Sequence, residues 1–454
     1  MKVIIVGCGK IGATLTARMA KEEHDVIVID NDPAVLKEIT ERHDVIGFCG
    51  NATSYDSLTE AGVAGCDLFI AVTGSDEFNM LSCFVARKIG AKHTVARVRN
   101  SEYNNDGFHY MMEQLELSMS VNPELMMAQA IFNILKLPSV AKVETFSDRR
   151  QELVEVVLRQ GSPLDGMTLS DIRKKYPGKY LVAVIRHGEE VHIPSGNSVL
   201  RSGDHIALIS ATPDMHRILK MLGLVQKQVR DVMVLGASTT SYYLARLLIG
   251  AGNSVKIIEK NPERCEEVCE RLSGATVIQG DCMHQDLLAE EGLDKMDAVV
   301  ALTGRDEENI LISFYAMSQG VGKVVSKVNQ DELGALSEKL GLDSILSPKV
   351  IISDVLAQYA RALENSEGSK VETLYSLMNG AAEALEFNVL SDFPFANIPL
   401  RDLTLTGGTL LAAITRGSAC IIPGGDDVIL PGDRVVIVAA GISVYDLEDI
   451  FRRK

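Results

Sequence analysis

The chain carries one plan twice, 229 residues apart. Val3-Ile4-Ile5-Val6-Gly7 returns as Val232-Met233-Val234-Leu235-Gly236, and Val26-Ile27-Val28-Ile29-Asp30 returns as Val255-Lys256-Ile257-Ile258-Glu259. Gly50-Asn51 is answered by Gly280-Asp281. Thr73-Gly74-Ser75-Asp76-Glu77-Phe78-Asn79 is answered by Thr303-Gly304-Arg305-Asp306-Glu307-Glu308-Asn309, and Arg97 by Lys327, with one residue of slip. Later, Leu181 to Arg186 matches Leu410 to Thr415, and Gly203-Asp204 matches Gly432-Asp433. Register kept over such a distance means tandem duplication, so the fold must be solved once and applied twice.

Each copy opens with alternating strands and helices. Continuous β-branched runs read as strands buried on both faces of a parallel sheet. The long apolar stretches Pro123 to Leu135 and Pro348 to Leu363 follow, each starting on proline, which suits a first helical turn. They admit two readings: packing inside their own unit, or crossing to a neighbouring subunit, a seam for which adaptable methionines are suited. Short strands with Gly-Asp turns close each copy, and Asn365-Ser366-Glu367-Gly368-Ser369 reads as a polar linker. The expected class is α/β: two tandem repeats, each a Rossmann-like parallel-sheet domain plus a small β-rich α+β module. The expected divisions are 1–137, 138–225, 229–365 and 370–454.

The first loop, Gly7-Cys8-Gly9-Lys10-Ile11-Gly12, leaves a strand and opens a helix. Gly7 allows the tight turn, Gly9 a close approach of backbone to pyrophosphate, and Gly12 close packing of the helix on the sheet. The helix start then presents its N–H groups to a diphosphate. Asp30 lies 18 residues beyond Gly12, where a carboxylate accepts from ribose hydroxyls. It disfavours a 2′-phosphate, and Asn31 and Asp32 bring no arginine to offset it, so NAD(H) is expected over NADP(H). Asn51, with Ala52 and Thr53, sits where a side chain edges the adenine, although capping of the helix that follows is the plainer role. Thr73 and Gly74 follow the fourth strand on the ligand-bearing edge. Thr73 suits phosphate or ribose, while Ser75 and Asp76 also suit a helix cap. Arg97 is the best single cation for a phosphate, its alternative being a salt bridge to Asp76 or to a surface acid.

In the second copy the loop runs Gly236-Ala237-Ser238-Thr239-Thr240-Ser241, with serines at the second and third glycine positions. Glu259, Asp281, Thr303, Asp306 and Lys327 retain a ribose-type pocket, but a Cβ at Ser238 obstructs pyrophosphate. A weak site, a different ligand or none is expected there.

Net charge of −16 argues against a nucleic-acid binder. No apolar run approaches the ~18 residues of a membrane span, and Gly7 and Lys10 interrupt any signal-peptide pattern, so a soluble cytoplasmic protein is expected. The eight cysteines include no CxxC pair, which predicts free thiols; Cys265, Cys269, Cys282 and His284 fall short of a clear zinc set. His187, His192 and His205 read as half-exposed fillers. No catalytic constellation stands out, and no substrate-sized domain accompanies the dinucleotide fold. An NAD(H)-dependent oxidoreductase is therefore the alternative reading.

The GCGKIG loop, Asp30, the GNAT segment (GDAT is usual), VTGSDEFN with Asn79, ARV with Arg97, a small β module and the repeat of it all resemble the TrkA family. These are the cytosolic regulatory subunits of Trk-type bacterial potassium uptake systems, within the RCK (KTN) group. The resemblance covers essentially the whole chain. It implies a non-enzymatic regulator binding NAD(H) and ATP or ADP, a homotetramer of eight RCK units, and docking beneath an integral-membrane potassium-translocating subunit. It places the protein peripherally on the inner face of the cell membrane, without insertion.

Overall fold

A computed structural model describes residues 1–100, 106–136, 140–146, 149–159, 161–224, 229–342, 344–366, 371–442, 444 and 446–453. Most of the expected linker, residues 367–369, lies outside them.

The first sheet has six parallel strands, β1 (Lys2–Val6), β2 (Asp25–Asp30), β3 (Ile46–Cys49), β4 (Leu68–Ala71), β5 (His93–Arg97) and β6 (Met119–Val121), in spatial order β3-β2-β1-β4-β5-β6. The helices are α1 (Lys10–Lys21), α2 (Pro33–Arg42), α3 (Tyr55–Glu60), α4 (Asp76–Ile89), α5 (Asp106–Gln114) and α6 (Pro123–Lys136). The strand order reverses between β1 and β4, the switch point at which open α/β sheets hold ligands. The first module follows as an antiparallel sheet of β7 (Val140–Phe146), β8 (Gln151–Val157), β9 (Tyr180–His187), β10 (Glu190–His192) and β11 (His205–Ala211), with α7 (Leu169–Lys175) and α8 (Thr212–Met221).

The second parallel sheet, β12 (Asp231–Leu235), β13 (Ser254–Glu259), β14 (Ala275–Gln279), β15 (Ala298–Ala301), β16 (Lys323–Lys327) and β17 (Ile345–Leu346), repeats the first in order and direction. Its helices are α9 (Thr239–Gly250), α10 (Pro262–Arg271), α11 (Gln285–Glu290), α12 (Asp306–Ser318), α13 (Asp331–Lys339) and α14 (Pro348–Ser366). The last module pairs β18 (Val371–Leu377), β19 (Ala382–Asn388), β21 (Thr409–Arg416), β22 (Ala419–Ile421) and β23 (Arg434–Ala440), while β20 (Leu403–Leu405) pairs β24 (Phe451–Arg453). The Gly-Asp turns have a physical basis. Gly203 and Gly432 take φ of +92° and +86°, and the aspartates behind them, each 1% exposed, accept the amides of Arg201 and Leu430 at 2.7 and 2.8 Å.

The long apolar helices follow neither reading taken from sequence. Met127, Ala128, Ile131 and Leu135 of α6 are buried among Val232, Val234, Leu244 and Leu248, the core of the other repeat. Ile352, Leu356, Ala357 and Ala360 of α14 are buried among Val3, Ile5, Leu15 and Met19 of the first. Each helix leaves its own sheet and roofs the other within one chain. Each large side chain so buried contributes about 1.5–3 kcal/mol. The two modules also share one core, with Phe146, Leu153, Val184 and Ile209 facing Leu377, Ala384, Val436 and Val438. No helix among the described residues is long and apolar enough to cross a membrane.

Candidate functional site

Exchange of the helices sets the carboxyl edges of the two parallel sheets against each other. Between them lies a cavity of about 1270 Å³ lined by both repeats. The first repeat supplies Gly7, Gly9, Lys10, Ile11, Asp30, Asn31, Gly50, Asn51, Ala52, Thr73, Gly74, Ser75, Phe78, Arg97, Pro123 and Glu124, and the second supplies Ser238, Thr239, Thr240, Arg264, Lys327, Asn329, Pro348 and Lys349.

The three glycines of the first loop separate by cause. Gly7 has φ +92°, and a Cβ there would lie 2.9 Å from Thr73 Cγ2. A Cβ on Gly12 would sit 1.8 Å from the Gly7 carbonyl oxygen. Both are required by the fold. Gly9 is extended (φ −66°, ψ −170°), a conformation open to any residue, and a Cβ on it would meet nothing within 4 Å. No contact within the chain requires glycine there; the open side belongs to the cavity. No side chain caps α1, so its leading N–H groups face the cavity uncovered. Cys8 points into the core instead, its thiol pushed up to about 12 by burial and then by Asp30.

Asp30 lines the cavity while accepting the amides of Cys8 and Asp32 at 2.7 and 3.0 Å. A carboxylate has about four acceptor sites, so capacity remains for hydroxyls. Asn51 accepts the Thr53 amide and hydroxyl at 3.0 and 2.9 Å, a turn within the loop, while the cap on α3 that sequence offered as its plainer role is made by Ser54, which accepts the Ser57 amide at 3.4 Å; Asn51's own amide group is left for a base. Ser75 caps α4 through the Phe78 amide at 3.2 Å. Asp76 does not pair with Arg97. Its carboxylate accepts the amides of Arg99 and Asn100, both at 2.8 Å. Asn79, fully buried, accepts the amide and hydroxyl of Thr73 at 2.9 and 2.7 Å and donates to the Arg97 carbonyl at 3.0 Å. In the second repeat Asn309 makes the same bonds to Thr303 and Lys327, and Asp306 the same clamp on Asn329 and Gln330. The repeated Thr-Gly-x-Asp-x-x-Asn motif therefore pins the ends of two strands from beneath. Thr73 reaches the cavity; Asn79 and Thr53 do not line it, and Asp76 lines only a smaller neighbouring pocket.

Arg97 donates to the Thr73 carbonyl at 3.2 Å, and its Nε is buried without a partner. Burial, followed by Arg99, pulls its guanidinium below the ordinary arginine range. Glu124, at the first turn of α6, has a buried Oε2 that is also unpartnered. Nothing in local sequence marked it, yet it holds the place in α6 that Lys349 holds in α14, each directly after the starting proline. Comparing the repeats there would have singled out both.

The second loop has filled its own cradle. Ser238 and Ser241 form a reciprocal capping box on α9, and Ser241 Oγ donates to the Gly236 carbonyl at 2.6 Å. Arg264 Nη1 closes over the Ala237 carbonyl at 3.0 Å. Glu259 accepts the Ala237 and Asn261 amides at 2.7 and 2.8 Å, and Asp281 accepts the Met283 amide at 2.9 Å. Glu259, Asp281 and Thr303 do not line the large cavity; Lys327 does.

Two Rossmann-type units facing each other across such a cleft, each followed by an antiparallel module, define a tandem nucleotide-binding fold of the RCK kind. The TrkA-N domain model matches residues 3–123 and 232–348, and the TrkA-C domain model residues 153–223 and 384–452. A Trk system potassium uptake protein TrkA homolog of Archaeoglobus fulgidus is 33% identical over 452 residues, 100% of both chains. The TrkA of Vibrio alginolyticus is 30% identical over 460 residues, 100% of this chain and 99% of its own. The chain belongs to the TrkA family. Among solved structures, the GsuK RCK domain superposes with a TM-score of 0.62 at 16% identity, covering 97% of this chain and 92% of its own. The GsuK channel bound to NAD gives 0.62 at 15% identity, covering 97% and 77%.

Proposed function

We propose that the chain is a nucleotide-responsive regulatory subunit of a Trk-type potassium uptake system, holding NAD(H) or an adenine nucleotide against the first loop. The observation that carries this reading is Gly9, whose Cβ position opens on the cavity in front of the uncapped start of α1. Membership of the TrkA family and the names of its relatives support the potassium-transport role. In this reading the protein assembles as a homotetramer beneath an integral-membrane potassium-translocating subunit, cytoplasmic and uninserted, with no part for nucleic acid.

A ligand shifts a conformational equilibrium only by its difference in affinity between states. Turning a ring from mostly closed to mostly open takes about 5.5 kcal/mol, or roughly 1.4 kcal/mol from each of four equal sites. One charge-assisted contact made in a single geometry supplies that much. Regulation also requires that the ligand survive the encounter. Calorimetry should therefore register NADH and ATP binding without consumption of either; sustained NADH oxidation with an acceptor would establish the oxidoreductase alternative instead.

Two further results are expected. Asp30→Ala should weaken NADH by about tenfold, the loss of charge-assisted bonds to ribose, and weaken inorganic phosphate by less; an unchanged NADH isotherm would remove the acid from the ribose. Cys49 and Cys269 are exposed, whereas burial pushes the Cys8 and Cys66 thiols up to about 12. A thiol reagent at neutral pH should label the first two and spare the others. NADH should then slow Cys49, which adjoins the cavity-lining Gly50, and leave Cys269 unprotected. Equal rates at Cys49 with and without NADH would place the cofactor elsewhere.

A further inference from the structure

The two β modules share a core, so each antiparallel sheet has one inner and one outer face. On the first module α7 and α8 cover the outer face, where Ile172, Met215, Ile218 and Leu219 pack on Val154, Val182, Ile206 and Leu208. The alternate positions Leu153, Ala207 and Ile209 face the second module. The outer layer is basic. Over residues 169–179 and 212–221 it carries Arg173, Lys174, Lys175, Lys179, Arg217 and Lys220 against two acids, Asp171 and Asp214. All six cations are exposed. Lys174 lies 3.7 Å from Asp171 and Arg217 2.8 Å from Asp214, whereas Arg173, Lys175, Lys179 and Lys220 make no ion pair among the described residues. The two stretches form one surface. A Cβ on Gly178 would lie 3.4 Å from Met221 Cε, so the turn that carries Lys179 abuts the end of α8 that carries Lys220. Tyr176 lies among them half-buried, with the Lys175 ammonium 5.2 Å from its ring centre. On the outer face of the second module, residues 441–450 bring Asp446, Glu448 and Asp449 and no lysine or arginine.

We propose that the outer layer of the first module docks on an anionic lipid surface, with Arg173, Lys174, Lys175 and Lys179 meeting the phosphate headgroups. The net charge of −16 opposes this only at a distance. At physiological salt the Debye length is about 8 Å, so acids elsewhere in the chain are screened while cations at the contact act in full. Each lysine or arginine near such a surface multiplies partitioning by about fivefold. Tyr176 suits the headgroup level, apolar at its ring and polar at its hydroxyl. A second copy of the chain offers acids of its own, but the two outer layers face opposite ways across the shared core. Basic layer on acidic layer would therefore repeat from copy to copy as an open stack instead of a closed ring. A lipid surface uses the basic layer alone. The inference stands apart from the nucleotide reading and requires no membrane-embedded protein.

The test is co-sedimentation of the full chain with protein-free vesicles, either phosphatidylcholine alone or equal parts phosphatidylglycerol and phosphatidylcholine. The parent should partition onto the anionic vesicles only, and should leave them as sodium chloride rises from about 0.1 to about 0.5 M. Lys175→Gln with Lys179→Gln should weaken that partitioning by about tenfold or more. Lys175→Arg with Lys179→Arg, which keeps both charges, should hold it. The control removes two equally exposed cations from α2, Lys37→Gln with Arg42→Gln, whose side chains are 76% and 70% exposed; it should change partitioning by less than about twofold. All these side chains are exposed, so the denaturation midpoints should match the parent's. A parent that ignores anionic vesicles at low salt, or binds phosphatidylcholine equally well, would overturn the inference. So would equal losses in the patch and control variants. Salt-sensitive association of the parent without vesicles, lost in the Lys175→Gln and Lys179→Gln variant, would assign the face to a second copy and overturn it as well.

Discussion

Gly9→Val should remove dinucleotide binding and leave the fold intact. A Cβ at Gly9 meets no atom of the chain within 4 Å, and the backbone there suits any residue. The isopropyl group would instead occupy the space in front of the uncapped start of α1. A pyrophosphate kept from those amides loses at least two hydrogen bonds to charged oxygens, at about 1.5–3 kcal/mol each. Affinity for NADH should thus fall by roughly 100-fold or more, with the denaturation midpoint unchanged. Gly12→Val should do the reverse of a clean binding mutant. Its Cβ would overlap the Gly7 carbonyl at 1.8 Å, forcing the loop open at a destabilisation on the order of 3 kcal/mol. Paired urea denaturation and calorimetry separate the two. A stable Gly9→Val protein with parental NADH affinity would show that the loop cradles nothing.

The second large effect is expected at the far end of α1. Glu22 is the C-cap residue of that helix, where a carboxylate faces the unfavourable end of the helix dipole. It is held by Arg18 Nε at 2.9 Å and by Arg361 of α14, whose Nε lies 2.9 Å from the carboxylate and whose Nη2 also contacts it. Arg18 reaches on to Asp354 of α14 at 3.1 Å. The cluster latches the exchanged helix onto the first repeat. Arg361 is 9% exposed, so Glu22→Ala would strand a buried guanidinium with the Leu374 carbonyl at 3.4 Å as its nearest acceptor. Breaking such a pair from one side is worth about 3 kcal/mol of stability. Adding Arg361→Met to Glu22→Ala should restore much of it, because the stranded charge is then gone. A single Glu22→Ala variant within about 0.5 kcal/mol of the parent would reduce the latch to an ordinary surface pair.

How far the site was legible depended on whether a residue acts on its neighbours in sequence. The strand, the glycine turn and the acid ending β2 are local, and Asp30 stands within 2.7 Å of the Cys8 amide as such a loop requires. The reading of Arg97 went astray in its alternative, since Asp76 serves the Arg99 and Asn100 amides, a match visible only with the strand ends in place. Asn79 illustrates the converse. Its repetition as Asn309 marked it as important, but repetition does not separate a ligand contact from a strut, and it is a strut.

The order of residues alone determined that there are two copies, that each holds a parallel sheet, and that only the first keeps an unobstructed glycine loop. Those properties follow from side-chain periodicity and from the absence of a Cβ, both written residue by residue. Tertiary structure decided which sheet each apolar helix covers, because burial of apolar surface is non-directional and an amphipathic stripe names no partner. With that exchange made, Glu124, Lys327 and Lys349, scattered over the chain, come to line one cavity with the Gly9 loop.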